Sequence, residues 1–270
     1  MVTQMQNTIN LTYLYPDILC LHGDRGNVWT FQRVAKMLGI NLNVTRVDTL
    51  SDEIDFENSD IMLMSPGELR SAPQIISRLS KDKDSLLRYI EQNKYFITIG
   101  TSGAMFTNKI IYTGGNTMNA LGIIDGIAKE RVAPYGDDIL FSCDLNGKQH
   151  NLSGIQIQMF DLELNHKHSS PSASGGNSSF SKNPSPFGEA VYGYGNCKDK
   201  DEGYKVNNFI FTNALGPLFV KNPWLAESIL RDIANKKNIA IDDTLSCDFS
   251  LEQISYDSIK EFVDNKEKPL

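Results

Sequence analysis

The segment Phe96-Ile-Thr-Ile-Gly-Thr-Ser-Gly-Ala-Met-Phe106 runs an apolar stretch directly into small residues and then into a plausible helix. Gly100 and Ala104 stand two positions either side of Ser102, and a sharp strand-to-helix turn needs small residues there because its tight backbone excludes larger ones. Such a turn lifts the central side chain out of the sheet. It also aims the following backbone N–H groups, at a helix N-terminus, towards a developing oxyanion. Ser102 is therefore the candidate nucleophile. The same small residues would equally serve packing alone, and both readings stand at this point.

A serine hydroxyl reacts only beside a positioned base. The histidines are His22, His150, His166 and His168. His166 or His168, with Asp161 orienting it, would make Ser102 a serine-dependent hydrolase. Both border a Ser/Asn-rich stretch that holds geometry poorly, so a surface role is expected of them. Cys20, Cys143, Cys197 and Cys247 are scattered without zinc spacing, and no metal or cofactor is expected. Cys20 reads as a buried strand thiol and Cys197 as an unactivated loop thiol. Asp24 and Arg25 suggest a turn in which Asp24 accepts backbone N–H groups and Arg25 pairs with a carboxylate.

Charge narrows the function classes. With 26 Lys+Arg against 33 Asp+Glu the chain carries −7, which argues against a nucleic-acid partner. No run approaches the roughly eighteen apolar residues of a membrane span, and Met1–Asn10 lacks the features of a secretory signal, so a cytoplasmic location is expected. There is no Gly-x-x-x-x-Gly-Lys-[Ser/Thr] loop, so any ATP use would fall to a partner.

The elements that must position Ser102 alternate strand and helix. Apolar runs at Asp17–Leu21, Ile61–Met64 and Tyr95–Gly100, with alternation over Ile40–Thr45, predict strands. Helical spacing over Val28–Leu38 and Ser85–Asn93 predicts helices between them. That order implies right-handed crossovers, a mainly parallel sheet and an α/β fold. Ile139–Cys143, Leu152–Leu164 and Phe209–Thr212 continue as strands. Asn222-Pro223 opens a helix, with asparagine as N-cap and proline in the first turn. Residues 11–238 are expected to form one domain interrupted by a Ser/Asn/Gly/Pro-rich loop at 165–186. Residues 239–270 read as an acidic tail with one amphipathic helix within Ser250–Val263.

The chain also resembles a family. Leu14-Tyr-Pro-Asp17, His22-Gly-Asp-Arg-Gly-Asn27, Leu121-Gly-Ile-Ile-Asp125, Tyr194-Gly-Asn196, Glu202-Gly203, Leu215-Gly-Pro-Leu218 and Lys221-Asn-Pro223 carry the likeness. In order and spacing they resemble the GatD-type glutamine amidotransferases, glutaminase subunits of lipid II isoglutaminyl synthase related to the cobyric acid synthase-like class I amidotransferases. The resemblance implies a flavodoxin-like, mostly parallel sheet with helices on both faces. It also implies a MurT-like Mur ligase partner, and glutamine as ammonia source for amidating lipid II in peptidoglycan synthesis. In that family an elbow cysteine attacks the glutamine carboxamide, forming a thioester and releasing ammonia, and a histidine activates the cysteine.

The resemblance places Ser102 at the cysteine and Leu215 at the histidine. It sets Ser65-Pro-Gly-Glu-Leu69 on the oxyanion loop, where only Gly67 is kept. It puts Gly103 directly after the nucleophile and Arg131, in the charge run Lys129-Glu-Arg131, near a substrate-holding arginine. Phe106 replaces a glutamine, and Ile155-Gln-Ile-Gln158 stands where the family has Phe-Glu-Asn-His-Gly. Leu215 cannot accept a proton, and a positioned base alone contributes ~10²–10⁴-fold to rate. The resemblance thus implies either an ammonia-supplying subunit with impaired chemistry or a catalytically inactive scaffold of the same fold. A serine hydrolase is the further alternative. All three expect residue 102 at the tip of the bend, facing residue 215.

Overall fold

The computed structural model describes residues 8–165, 184–241 and 244–266. Most of the expected loop at 165–186, with His166 and His168, lies outside the described residues.

In chain order the elements are β1 (Thr8–Leu14), α1 (Arg25–Met37), β2 (Asn41–Val47), β3 (Ile61–Met64), α2 (Ala72–Lys81), α3 (Lys83–Glu91) and β4 (Tyr95–Ile99). A 3₁₀ stretch, Gly100–Phe106, leads to β5 (Lys109–Ile111), β6 (Thr117–Asn119), β7 (Gly126–Leu145) and β8 (Lys148–Leu164). Then come β9 (Gly188–Tyr192), β10 (Asp201–Glu202), β11 (Tyr204–Val206), β12 (Phe209–Thr212), β13 (Ala214–Leu215), α4 (Leu218–Lys221), α5 (Pro223–Lys236) and α6 (Ser250–Lys266).

The main sheet has the order β11-β12-β4-β3-β1-β2. Its pairs are parallel except β11 with β12. Successive residues of its central strands face opposite cores, as the two-residue strand period requires. Ile61, Leu63, Tyr95, Ile97 and Ile99 pack with Phe31 and Val34 of α1 and Leu225 and Ile229 of α5. Met62, Met64 and Phe96 pack with Ile75 and Ile76 of α2 and Leu86 and Tyr89 of α3. With both faces covered, β3 and β4 are buried along their whole length. The fold is α/β, a mostly parallel sheet with helices packed on both faces.

The expectation of a strand at Asp17–Leu21 is corrected. The first strand is Thr8–Leu14, whose Leu11–Leu14 pair with Ile61–Met64, and residues 15–23 turn above its C-terminal end. Cys20 is consequently exposed, not a buried strand thiol. Polar neighbours mask the apolar alternation Ile9, Leu11, Tyr13 in the sequence, although all three are buried.

A second sheet, mostly antiparallel, is built around the long hairpin of β7 and β8. Asn146 and Gly147 at its tip both take positive φ, the backbone of a two-residue hairpin turn whose twist matches the strands. β13 joins this sheet by pairing Ala214 with Gln156 and Leu215 with Ile155, so the chain leaving β12 carries Leu215 against β8. Helix α6 lies against the body through Val263, an Arg33–Glu252 ion pair, an edge-on Trp224–Tyr256 contact at 6.2 Å and a Lys266–Asp137 ion pair at 3.0 Å. Among the described residues no helix is long and apolar enough to cross a membrane.

Candidate functional site

Strand β4 ends at Ile99 and the chain reverses at Gly100, whose φ of +60° is the left-handed conformation that glycine adopts without steric cost. The tip of the bend is therefore Gly100, two residues before the serine expected there. A Cβ placed on Gly100 would stand 2.9 Å from Pro66 Cβ and 3.0 Å from Leu215 Cδ2. The tip thus faces the residue 215 position directly, with hydrogen where a nucleophile would project.

Ser102 lies one turn further on and is completely buried. Its Oγ accepts from the Ile99 N–H at 3.1 Å, and its hydroxyl has the carbonyl oxygens of Ile99 at 3.0 Å and Met64 at 3.2 Å to donate to. A short hydroxyl side chain that bonds local backbone in this way fastens a turn. It joins the first turn to the ends of β3 and β4 and does not face the cavity. Gly103 is likewise a packing residue: a Cβ there would fall 2.1 Å from the Phe211 ring, and its carbonyl accepts from the buried Tyr204 hydroxyl at 3.2 Å. The sequence pattern is symmetrical about Ser102, and nothing in it marks which glycine takes positive φ.

The cavity beneath Gly100 has a volume of about 340 Å³. Its lining includes Leu21 and His22, the loop Pro66–Arg70, Gly100 and Thr101, Glu130, Ile157 and Met159, and Leu215. Gly67 and Leu215 thus reach the site where the sequence places them. The loop 66–70 is held by two ties. Leu21 N–H donates to the Pro66 carbonyl at 3.1 Å, and the Thr101 hydroxyl both accepts from Gly67 N–H at 2.9 Å and donates to the Gly67 carbonyl. The Gly67 amide, the donor expected to serve an oxyanion, is therefore already paired within the protein. His22, also at positive φ (60°), reaches the lining from the turn above β1; burial lowers its pKa and favours the neutral imidazole.

Arg131 is not in the lining. Its guanidinium donates to Asp161 at 2.6 Å and to the Tyr194 hydroxyl at 2.8 Å, and lies 4.7 Å from the Tyr194 ring centroid. The hydrogen bond to Asp161 is the main reason its charged form is favoured. Glu130, its neighbour in the charge run, faces the cavity instead, with its carboxylate accepting from Thr113 N–H at 3.0 Å. The strand alternation puts adjacent residues on opposite faces.

The shared sequence pieces prove to be joints around the cavity. In His22–Asn27, Arg25 pairs with Asp17 at 2.7 Å as expected. Asp24 differs from expectation: its Oδ1 accepts from the Asn27 side-chain amide at 2.7 Å and its Oδ2 is buried without a partner. Burial pushes the Asp24 carboxyl up to about 7. Asn27 Oδ1 in turn accepts from Phe219 N–H at 2.8 Å, anchoring the Leu215–Leu218 segment.

Tyr194–Asn196 and Glu202–Gly203 form a second joint. Asn196 and Gly203 exchange two hydrogen bonds of 2.8 Å. Glu202, fully buried, accepts from the Thr212 hydroxyl at 2.6 Å, Asn213 N–H at 2.7 Å and the Asn213 side chain at 3.2 Å. Burial raises the Glu202 pKa against these bonds, which lower it. Gln156 and Gln158 bond one another and bind the backbone of Gly195 and Asn196. Among the described residues no cluster of three or more His, Cys, Asp and Glu side chains forms a metal-binding group.

No family model matches the chain. It is 26% identical over 232 residues to the lipid II isoglutaminyl synthase (glutamine-hydrolyzing) subunit GatD of Staphylococcus aureus, covering 86% of each chain. It is 23% identical over 232 residues to the subunit of the same name from Streptococcus pneumoniae, covering 85% of this chain and 82% of that one. In structure it is similar to PurLQS from Thermotoga maritima, with a TM-score of 0.53 at 10% identity over 84% of this chain and 98% of that chain, which is a likeness of fold. Over most of its length the chain is thus similar to two GatD subunits of lipid II isoglutaminyl synthase.

Proposed function

We propose that this chain is the amidotransferase-fold subunit of a complex that amidates lipid II, and that it does not itself hydrolyse glutamine. One observation carries the reading: the elbow tip is Gly100 and the residue facing it is Leu215, so neither a nucleophile nor a base stands where thioester chemistry needs them. A hydrolytic step requires both groups within hydrogen-bond reach of each other. Ser102 does not supply the first, because its hydroxyl is engaged with backbone on the far side of the turn. The serine-hydrolase alternative is therefore set aside.

In this reading residues 11–238 are the amidotransferase-like domain and 239–270 an appended segment docked through α6. The partner is a MurT-like Mur ligase that supplies ATP chemistry in the cytoplasm and draws ammonia from solution or another source. Support comes from the relatives, both of which are named as subunits of a synthase. The test is to co-express the chain with such a ligase, purify the pair and assay lipid II amidation with free ammonia and with glutamine. A stable pair that amidates with ammonia and not with glutamine is expected. Glutamine-dependent amidation by the pair would overturn the loss of chemistry, and failure to co-purify would overturn the partnership.

A further inference from the structure

On the side that carries α2 and α3, the main sheet changes character from its centre to its edge. Over β3 and β4 that side is apolar, with Met62, Met64 and Phe96 in the core beneath the helices. Over β1 and β2 it turns polar. Asn10 stands beside Asn43 and Thr12 beside Thr45 in the parallel register. The two-residue strand period puts all four on the side of Leu14 and Val47, which pack in that same core. The segment between β2 and β3 supplies a facing wall through Glu53 and Asp55, and a groove of about 370 Å³ lies between them.

Among the described residues that line this groove there is no Lys, Arg or His, and Val47 is the one apolar side chain. Part of the lining is fixed internally. Asn10 donates through Nδ2 to the Asn58 carbonyl at 2.9 Å and accepts at Oδ1 from Asn43 at 3.2 Å. Asp55 accepts from the Asn58 N–H at 3.0 Å and from its side-chain amide at 2.8 Å, and these bonds, with Lys94 nearby, hold its carboxyl below the usual range. Three groups are left over. The Thr12 side chain is only 4% exposed, yet its hydroxyl has no hydrogen-bond partner among the described residues. The Thr45 hydroxyl and the Glu53 carboxylate are likewise unpaired among them, on exposed residues. A buried hydroxyl without a partner costs stability. Threonine at a position where valine has the same shape is accounted for by a polar occupant of the groove.

We propose that this groove binds a neutral polyhydroxyl molecule of monosaccharide size, whose hydroxyls bond to Thr12, Thr45, Asn43 and Glu53. Each hydroxyl of such a molecule both donates and accepts, which matches two threonine hydroxyls, the free Asn43 Oδ1 and a carboxylate. An anion would meet two carboxylates and no lining cation. An apolar guest would leave Thr12 unpaired. A cation would find Asp55 already served by Asn58 and Lys94, with Glu53 alone to pair it. The volume sits at the small end of ligand pockets, roughly 300–1,000 Å³. This groove and the Gly100 cavity share no lining residue, so neither reading depends on the other.

The experiment titrates the full chain, methyl-labelled at threonine, with D-glucose, D-galactose, D-ribose and myo-inositol, and separately with methylammonium chloride. Thr12 and Thr45 are followed by NMR, and Thr98, buried in β4, reports on the fold. Saturable shifts of Thr12 and Thr45 are expected with at least one of the four polyols, and none with methylammonium at equal concentration, while Thr98 stays unchanged. Thr12→Val removes the hydroxyl at constant shape. It should weaken binding read at Thr45 about three- to tenfold, the worth of one hydrogen bond, and should melt no lower than the parent because no internal bond is lost. Glu53→Ala, at an exposed position, should weaken binding by a similar factor. No saturable shift with any of the four polyols, a shift with methylammonium in their place, full binding by Thr12→Val, or a lower melting temperature for Thr12→Val would overturn the proposal.

Discussion

A single residue separates Asn213 from Leu215, yet the two belong to very different regions. Asn213 is part of a buried polar joint in which Glu202, Thr212 and Asn196 satisfy one another, hydrogen bond by hydrogen bond. Leu215 lines the cavity beneath Gly100, facing that glycine across 3.0 Å measured to the Cβ that Gly100 lacks. The contrast teaches that the buried polar groups of the joint hold the loops of the site in place, whereas Gly100 and Leu215 meet with no side chain able to hydrogen-bond. A partly satisfied buried network costs stability, so joints of this kind resist piecemeal change. A reactive pair carries no such penalty when it is replaced by apolar residues that pack.

The joint should be the more fragile region. Glu202→Ala leaves the Thr212 hydroxyl and two Asn213 donors without an acceptor, so we expect a loss of about 4 kcal/mol in urea unfolding. A loss below ~1 kcal/mol would remove the distinction between the two regions.

Asp24→Asn is expected to act in the opposite direction. The folded pKa of Asp24, about 7, lies above the usual carboxylate range. The group therefore favours folding while protonated, and this contribution falls away as pH rises from about 4 through 7. Asp24→Asn keeps the oxygen that accepts from Asn27 and cannot ionise. It should exceed the parent in stability by roughly 4 kcal/mol above pH 7, with the gap closing towards pH 4. Thermal melts across that range would show a pH-independent difference if Asp24 does not titrate in the fold.

Asn27→Ala should cost about 2 kcal/mol by freeing the Phe219 N–H and the Asp24 Oδ1 together. It should also loosen the Leu215 segment, visible as faster amide exchange over residues 215–219. Ser102→Ala sharpens the comparison from the other side: about 1 kcal/mol of stability lost through the Ile99 N–H, and no functional consequence.

Much of this was legible in the residues. β3 and β4 read as buried parallel strands because both of their faces are covered, and α5 announced its start through Asn222-Pro223. The site was legible to within two residues. A strand running into Gly-Thr-Ser-Gly-Ala marks an elbow, yet the choice between Gly100 and Ser102 depends on where β4 releases the chain. That release is set by pairing with β3 and β12, which local sequence does not contain. Leu215 came from the order of the shared pieces, and Gly67 from the loop Ser65–Leu69 set on the family's oxyanion loop. His22 was visible as part of such a piece, but its place at the cavity depends on the turn that follows β1, a strand the sequence concealed among polar residues. Asn146-Gly147 is a two-residue hairpin signal, and it turns the chain between β7 and β8.

The central claim is that no group at this cavity can open a carboxamide. The direct measurement is ammonia released from glutamine by the full chain, alone and with its ligase, beside Ser102→Ala and Thr101→Ala. The account predicts that all three proteins match buffer. Release by the parent chain that either substitution abolishes would contradict it.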